Sequence, residues 1–316
     1  MSVPKPFLSV VIPVYKAEGM IGELVRRIKS SVAPVTGHFE IILVDDREPG
    51  NSWAQIKQQA ELDSRVKGLR LSRNFGQHKA ITAGLDYSRG EWVVVMDCDL
   101  QDQPEEIPAL LARAKSEPAD IVFARRAARQ DTVFRRFFSA AFYRVLSYLT
   151  DTRQDPAIAN FGVYNRKVIN AVLSLRESIR YFPAMVRWVG FRSSTVDVVH
   201  ARRAEGRSSY NFSRRLDLAF DIILAYSDKP LRLTVKLGLL VSAAAFVMVL
   251  VTLGRFLAGS IVVLGYTSLI ISIWFLSGLL LSVLGMVGLY LGKTFEQVKN
   301  RPIYLVDEDT AQPVKL

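Results

Sequence analysis

Asp97 and Asp99 stand two residues apart at the end of the apolar run that begins at Trp92. In a buried strand, side chains two apart point to one face, so these two carboxylates would converge on one cation. Hard divalent ions such as Mg2+ or Mn2+ prefer carboxylate oxygen and often share their coordination with substrate phosphates. Asp102 and the helix-start signal Pro104-Glu105-Glu106 follow directly. A bare D-x-D is commonly a solvated turn, but its position behind an apolar strand favours a metal–diphosphate site. Cys98 would face the other way and serve packing.

Elements that could position these acids alternate regularly. Strands are predicted at Leu8–Tyr15, Glu40–Asp46, Val66–Ser72, Trp92–Asp97 and Asp120–Ala124, and helices at 18–31, 52–62, 77–88 and 104–116. Near-continuous apolar strands alternating with helices imply an α/β fold with a mostly parallel sheet covered on both faces. Ligands of such sheets sit at the carboxyl ends of the strands. The polar residues there are Tyr15 and Glu18, Asp45 and Asp46, Arg73 and Asn74, and Asp97 and Asp99. There is no G-x-G-x-x-G after the first strand and no G-x-x-x-x-G-K-[ST], which disfavours dinucleotide and P-loop binding.

Lys and Arg outnumber Asp and Glu by 41 to 30, a formal charge of +11. The excess suits an anionic partner: nucleic acid, a phosphate-bearing substrate or an anionic membrane. The single cysteine excludes an intramolecular disulfide. The N-terminus lacks a basic region before its short apolar run and reads as a strand, not a signal peptide.

No charged residue lies between Leu237 and Gly254, or between Phe256 and Gly292. Two membrane helices are expected, at 234–257 and 266–291, joined by a turn near Gly259, Ser260 and Gly265. Lys229, Arg232 and Lys236 precede the hairpin and Lys293, Lys299 and Arg301 follow it, whereas its turn has only Arg255 nearby. The positive-inside rule puts both ends in the cytoplasm, hence a multi-pass protein of the cytoplasmic (inner) membrane. The small-xxx-small pairs Gly278/Ser282 and Gly288/Gly292 permit close helix packing and so a homo-oligomer. The stretch Phe134–Arg144 mixes aromatics with arginines. Leu216, Ala219, Phe220, Ile223 and Leu224 form a stripe, with Arg202, Arg203, Arg207, Arg214 and Arg215 just before it or at its start. Both fit a headgroup layer, or else a core-facing helix with a solvated basic face. The expected organisation is a catalytic domain over 1–200, a basic interfacial segment over 201–233, the hairpin over 234–292 and a cytoplasmic tail over 293–316.

SVVIPVY with Glu18, ILVDD, LSRNFGQHKAITAGL, VVMDCDLQDQPEEIP, the basic segment around EGRSSYNF and the terminal hairpin together resemble a family 2 glycosyltransferase of GT-A fold. More narrowly, they resemble the polyprenyl-phosphate glycosyltransferases. The resemblance covers nearly the whole chain. It implies that Pro13, Tyr15, Glu18 and Asp45 surround the nucleotide's base and ribose. It further implies that Asp97 binds the nucleotide, that Asp99 holds Mg2+ or Mn2+, and that Gln101 and Asp102 lie beside them. Arg125 or Arg126 would face phosphate, and Arg202, Arg207 and Ser208 the acceptor phosphate. Plainer roles stay open: Pro13 and Tyr15 can end a strand, Glu18 can be a first-turn helix acid, and the arginines can be solvated. His78 can contact substrate or cap its helix.

Two departures matter. Relatives commonly read D-D-G-S-x-D after the second strand, where this chain has Asp45-Asp46-Arg47-Glu48-Pro49-Gly50-Asn51-Ser52, so base contacts from Arg47 onward do not carry over. Arg187-Trp188 is similar to the Q-x-x-R-W of processive synthases, but Ala184 stands where the Gln belongs, and two membrane helices are too few for a polymer channel. The expected reaction is inverting transfer from a nucleotide-sugar, UDP before GDP, to a polyprenyl phosphate, with no nucleic acid involved. The rivals are transfer to a glycan or protein hydroxyl, which needs a base such as Asp155 or Asp151, and a non-enzymatic nucleotide- or lipid-binding subunit.

Overall fold

The structure is a computed structural model that describes residues 5–126, 158–175, 177, 179–199, 227–258 and 265–311. It divides into two compact units. One holds the N-terminal α/β domain together with the chain after Arg301; the other holds the long apolar helices.

The first unit is built on an eight-stranded sheet of order β7-β5-β6-β4-β1-β2-β3-β8. Its centre is β1 (Leu8–Val14), β2 (Phe39–Asp45), β3 (Val66–Leu71) and β4 (Trp92–Val95), all parallel. β1 and β2 are buried at every residue, as strands covered on both faces must be. β5 (Ile121–Arg126) and β7 (Ser193–Val198) run parallel to each other, and β6 (Ile158–Asn165) pairs antiparallel with both β4 and β5.

The covering helices are α1 (Ile21–Val32), α2 (Ser52–Leu62), α3 (Gln77–Tyr87), α4 (Ile107–Ser116), α5 (Arg166–Ser174) and α6 (Phe182–Trp188). On α1, Ile21, Leu24, Val25, Ile28 and Val32 make one buried stripe at helical spacing. α3 comes unusually close to the sheet because Gly84 has no side chain: a Cβ there would lie 2.4 Å from Val11 Cγ1.

The expected α/β class is observed, with three strands the sequence reading did not name: β6, β7 and β8 (Val306–Asp309). β8 is the notable one. It lies within the tail expected over 293–316 and pairs antiparallel with β3. Ser72 N–H donates to Leu305 O at 2.9 Å and Thr310 N–H to Gly68 O at 3.0 Å, which extends the ladder at both ends.

In the second unit, α7 (Lys229–Leu257) and α8 (Tyr266–Val298) are long and apolar enough to cross a membrane. α8 runs past the expected end at 291. Exposed Leu, Val and Phe side chains, such as Leu239, Phe246, Leu281 and Phe295, line both helices, the opposite of a soluble core hairpin. Tyr290 of α8 donates to Ser227 O at 2.8 Å, just before α7.

Candidate active site

Three turns at the carboxyl ends of the central strands each hold a non-glycine residue in the left-handed region: Lys16 after β1 (φ 55°), Arg47 after β2 (φ 52°) and Leu100 after β4 (φ 59°). Such backbone costs about 1–3 kcal/mol each and clusters where function demands it. The acids of the site lie in or beside these turns.

β4 ends at Val95, so Asp97-Cys98-Asp99 sits in the turn and not on the strand. The two carboxylates therefore owe their placement to the turn and its neighbours; strand alternation, the reason expected, does not apply. Gln77 Nε2 donates to Asp97 Oδ1 at 2.7 Å, and Asp99 Oδ1 accepts from Gln101 N–H at 3.2 Å. Asp97, Asp99 and Gln101 are partly exposed, while Asp102 is buried. Cys98 packs against the core, and burial pushes its thiol up to about 12, away from the thiolate form.

The acids after β2 are different. Asp45 is 0% exposed: Glu48 N–H donates to its Oδ1 at 3.3 Å, and Arg70 Nε forms an ion pair with Oδ2 at 3.2 Å. Asp46 is 3% exposed and accepts from Phe75 N–H at 2.7 Å and Gly76 N–H at 2.9 Å, fixing the loop that enters α3. Burial raises the pKa of both groups, in Asp46 against those two backbone donors. Glu48 is also buried; it accepts from Lys16 N–H and from Ser52 N–H at 3.1 Å, joining the turns after β1 and β2 and capping α2. The rebuilt segment Arg47–Ser52 is thus an internally braced turn. The sequence reading assigned Glu48 no role; an acid four residues before Ser52, at the start of α2, was the available signal.

Pro13 is buried within β1, in register with Val44. Tyr15, just past the strand, is 42% exposed. α1 starts at Ile21, so Glu18 lies in the turn before it and is not a first-turn helix acid; it is exposed and faces the same space beside Gly50 as Glu48. His78 does not cap α3: Gly76 stands at that position with no side-chain cap. His78 meets Tyr181 edge to face at 4.9 Å, its Nδ1 is buried without a partner among the described residues, and burial lowers its pKa from the usual 6.5 to about 4. Arg125 is paired with Asp197 of β7 through two contacts, at 2.6 and 3.0 Å. Arg126 closes β5 and its side chain lies outside the described residues. So do Arg202, Arg207, Ser208, Asp151, Asp155, the Phe134–Arg144 stretch and the 216–224 stripe.

Among the described residues no group of three His, Cys, Asp or Glu could hold a metal alone. Two partly exposed carboxylates, Asp97 and Asp99, fit instead an ion that completes its coordination with substrate phosphate oxygens.

Residues 9–176 match the family model for glycosyl transferase family 2. An uncharacterised glycosyltransferase of Bacillus subtilis, YkcC, is 35% identical over 95% of this chain and 93% of its own length. An undecaprenyl-phosphate 4-deoxy-4-formamido-L-arabinose transferase of Pseudomonas aeruginosa is 35% identical over 96% of this chain and 90% of its own. Among solved structures, a glucosyl-3-phosphoglycerate synthase of Mycobacterium tuberculosis, in complex with Mn2+, UDP-glucose and phosphoglyceric acid, aligns at 15% identity over 70% of this chain and 78% of that one, with a TM-score of 0.49. The sheet with its strand-end acids and a relationship that runs through nearly the full length lead to one conclusion: the chain is an enzyme of glycosyl transferase family 2.

Proposed function

We propose that this enzyme moves a sugar from a nucleotide-sugar, a UDP-sugar, to a polyprenyl phosphate such as undecaprenyl phosphate. Inversion at the anomeric carbon would give a lipid-phosphate-linked sugar for glycan or lipid modification. The observation that carries the reading is the 35% identity to the Pseudomonas transferase over 96% of the chain, apolar hairpin included.

The acceptor phosphate is ionised near neutral pH, with a second pKa of about 6, so its oxygen attacks the anomeric carbon without a side chain to remove a proton. As that C–O bond forms, the bond from the anomeric carbon to the diphosphate breaks, and the nucleoside diphosphate leaves with the electron pair. Mg2+ or Mn2+, when held by Asp97 and Asp99 with Gln101 beside them, would neutralise charge on that diphosphate. Gln77 keeps the Asp97 carboxylate oriented, and Asp102 is buried beside the turn. Tyr15 and Glu18 offer the exposed surface for base and ribose. Asp45, enclosed as it is, contributes through the turn above it. Arg126 is assigned to the donor phosphates, and Arg202, Arg207 and Ser208 to the acceptor phosphate.

The hairpin is read as two crossings of the cytoplasmic membrane, with the catalytic domain on the cytoplasmic side. Two observations support this: the basic flanks on both sides of the hairpin, and the entry of the chain after α8 into the same sheet it left before α7. An even number of crossings satisfies that connectivity. A reporter fused at Leu316 should read as cytoplasmic.

The test is transfer of radiolabel from UDP-sugars, with Mg2+ or Mn2+, into organic-extractable lipid in the presence of undecaprenyl phosphate. Arg207→Ala should raise the lipid KM about tenfold to more than a hundredfold, the range for a lost charged hydrogen bond, and leave the donor KM nearly constant. If Asp155→Asn abolishes turnover while Arg207→Ala and Arg202→Ala stay fully active, a hydroxyl acceptor replaces the lipid phosphate.

A further inference from the structure

We infer that the C-terminal strand β8 is part of the donor-binding machinery: Glu308 and Asp307 are positioning residues that hold Arg70 and Arg47, and through them Asp45 and the turn after β2. The inference rests on the reading that Asp45 and this turn form the nucleotide side of the site.

The sequence of β8 is Val-Asp-Glu-Asp. Acidic residues are poor strand formers. On an edge strand such as β8 charge also guards against further pairing; the partners of these acids set it apart. Each of these acids reaches back to a named partner. Asp307 pairs with Arg47, the strained residue of the turn. Glu308 accepts from Arg70 Nη1 at 2.9 Å and from Trp53 Nε1 at 3.0 Å, with Lys57 Nζ 3.9 Å away. Asp309 accepts from the Tyr87 hydroxyl at 2.8 Å.

Arg70 is the hinge of the arrangement. Its guanidinium lies between Glu308 of β8 and Asp45 of β2, and its own side chain is 22% exposed. Trp53 packs beneath it, with the guanidinium 5.9 Å from the ring. The junction is closed at Gly68 of β3, where a Cβ would lie 2.4 Å from Ile56 and 3.0 Å from both Thr310 and Trp53. Only glycine lets α2 and the chain after β8 meet across that strand.

The charges that face Asp45 are Arg70 from β3 and Glu48 and Asp46 from the following turn. Arg70 is the cation of that group. Glu308 fixes where it sits, so losing Glu308 lets it swing from Asp45 toward solvent. Asp45 then drifts further toward its protonated form, and the Glu48 turn loses the charge beneath it. Sequence separation hides the link: Arg70 and Glu308 are 238 residues apart, with both membrane helices between them.

The experiment uses the purified full-length chain in detergent. UDP and GDP binding are measured by calorimetry, beside steady-state kinetics with polyprenyl phosphate. Glu308→Gln and Asp307→Asn should each weaken nucleotide binding and raise the donor KM about five- to tenfold, a part of what a direct charged hydrogen bond carries. They should leave kcat and the acceptor KM within about twofold. Glu308→Asp should recover most of the loss, and the acid limb of donor kcat/KM should shift to higher pH in Glu308→Gln. Unchanged nucleotide binding in both neutralised variants overturns the inference. So does a loss of kcat and both KM values in proportion to a lowered unfolding temperature, which is what mere edge closure would give. If the wild type binds neither UDP nor GDP, the nucleotide reading itself fails, a result distinct from either.

Discussion

Asp45 ends β2 with Asp46 and Glu48 just past it, and Asp97 and Asp99 lie in the turn after β4; both groups stand at the carboxyl end of parallel strands, but their burial differs. Asp45, Asp46 and Glu48 are 0%, 3% and 4% exposed and are spent on backbone N–H groups and on Arg70. Asp97 and Asp99 are partly exposed and lie beside the strained Leu100. A carboxylate in a dry position must be matched by fixed donors or it destabilises the fold. One left partly in water can exchange that hydration for a metal ion and phosphates. Both motifs are legible in the sequence; only the structure shows that the first is enclosed and the second partly exposed. The start of α3 joins the two groups, since Phe75 and Gly76 donate to Asp46 and Gln77 to Asp97.

The strongest way to break this contrast is Asp99→Ala. It should lower kcat/KM by about a hundredfold or more, the range seen when one electrostatic contributor is removed from a transition state. Unfolding free energy should stay within about 0.5 kcal/mol, as for a surface change. Turnover and urea denaturation on one preparation check both, and full activity in the variant or in EDTA would contradict the assignment.

Asp46→Ala should behave the other way. It strands two N–H donors at the entrance to α3, each costing about 1–3 kcal/mol if left buried and unpaired. The expected result is a loss of about 2–4 kcal/mol in urea denaturation, with activity falling because the loop that carries Gln77 is released. Asp46→Asn should recover part of the stability. A stable Asp46→Ala variant would show that the loop is held by something else.

The smallest effect sharpens the bridge between the two regions. His78 has a folded pKa of about 4 against the ordinary 6.5, because burial disfavours its charged form. The stability associated with neutral His78 is therefore full above about pH 6.5 and is lost as pH falls toward 4. Thermal melts between pH 7 and 4.5 should show a decline that His78→Gln flattens. Equal slopes in both proteins would mean that His78 titrates as an exposed imidazole.

Much of this was legible in the chain. The parallel core followed from β-branched runs such as SVVIPV and EIILVD, whose pattern is local. The hairpin followed from the absence of charge between Leu237 and Gly254 and between Phe256 and Gly292. Tyr15 and Glu18 do lie at the end of the first strand, but Tyr15 falls one residue past β1 and Glu18 three residues before α1, since strand and helix boundaries depend on where packing stops. β6 was obscured by Gly162, where a Cβ would lie 2.8 Å from Val122 O; the glycine weakens a strand signal and is needed for the pairing with β5.

The sequence by itself determined the family motifs, the alternation of strand and helix, and the two apolar spans, because each is encoded by neighbours within a turn or a strand. Tertiary structure decided that Asp45 is enclosed, that Asp97 and Asp99 sit in a turn, and that Val-Asp-Glu-Asp is a strand at all. An acidic tetrapeptide has no strand propensity of its own. It becomes β8 because the free edge of β3 supplies its hydrogen bonds and Arg47, Arg70, Trp53 and Tyr87 supply partners for its charges. Those partners lie more than two hundred residues away, beyond the reach of any local pattern.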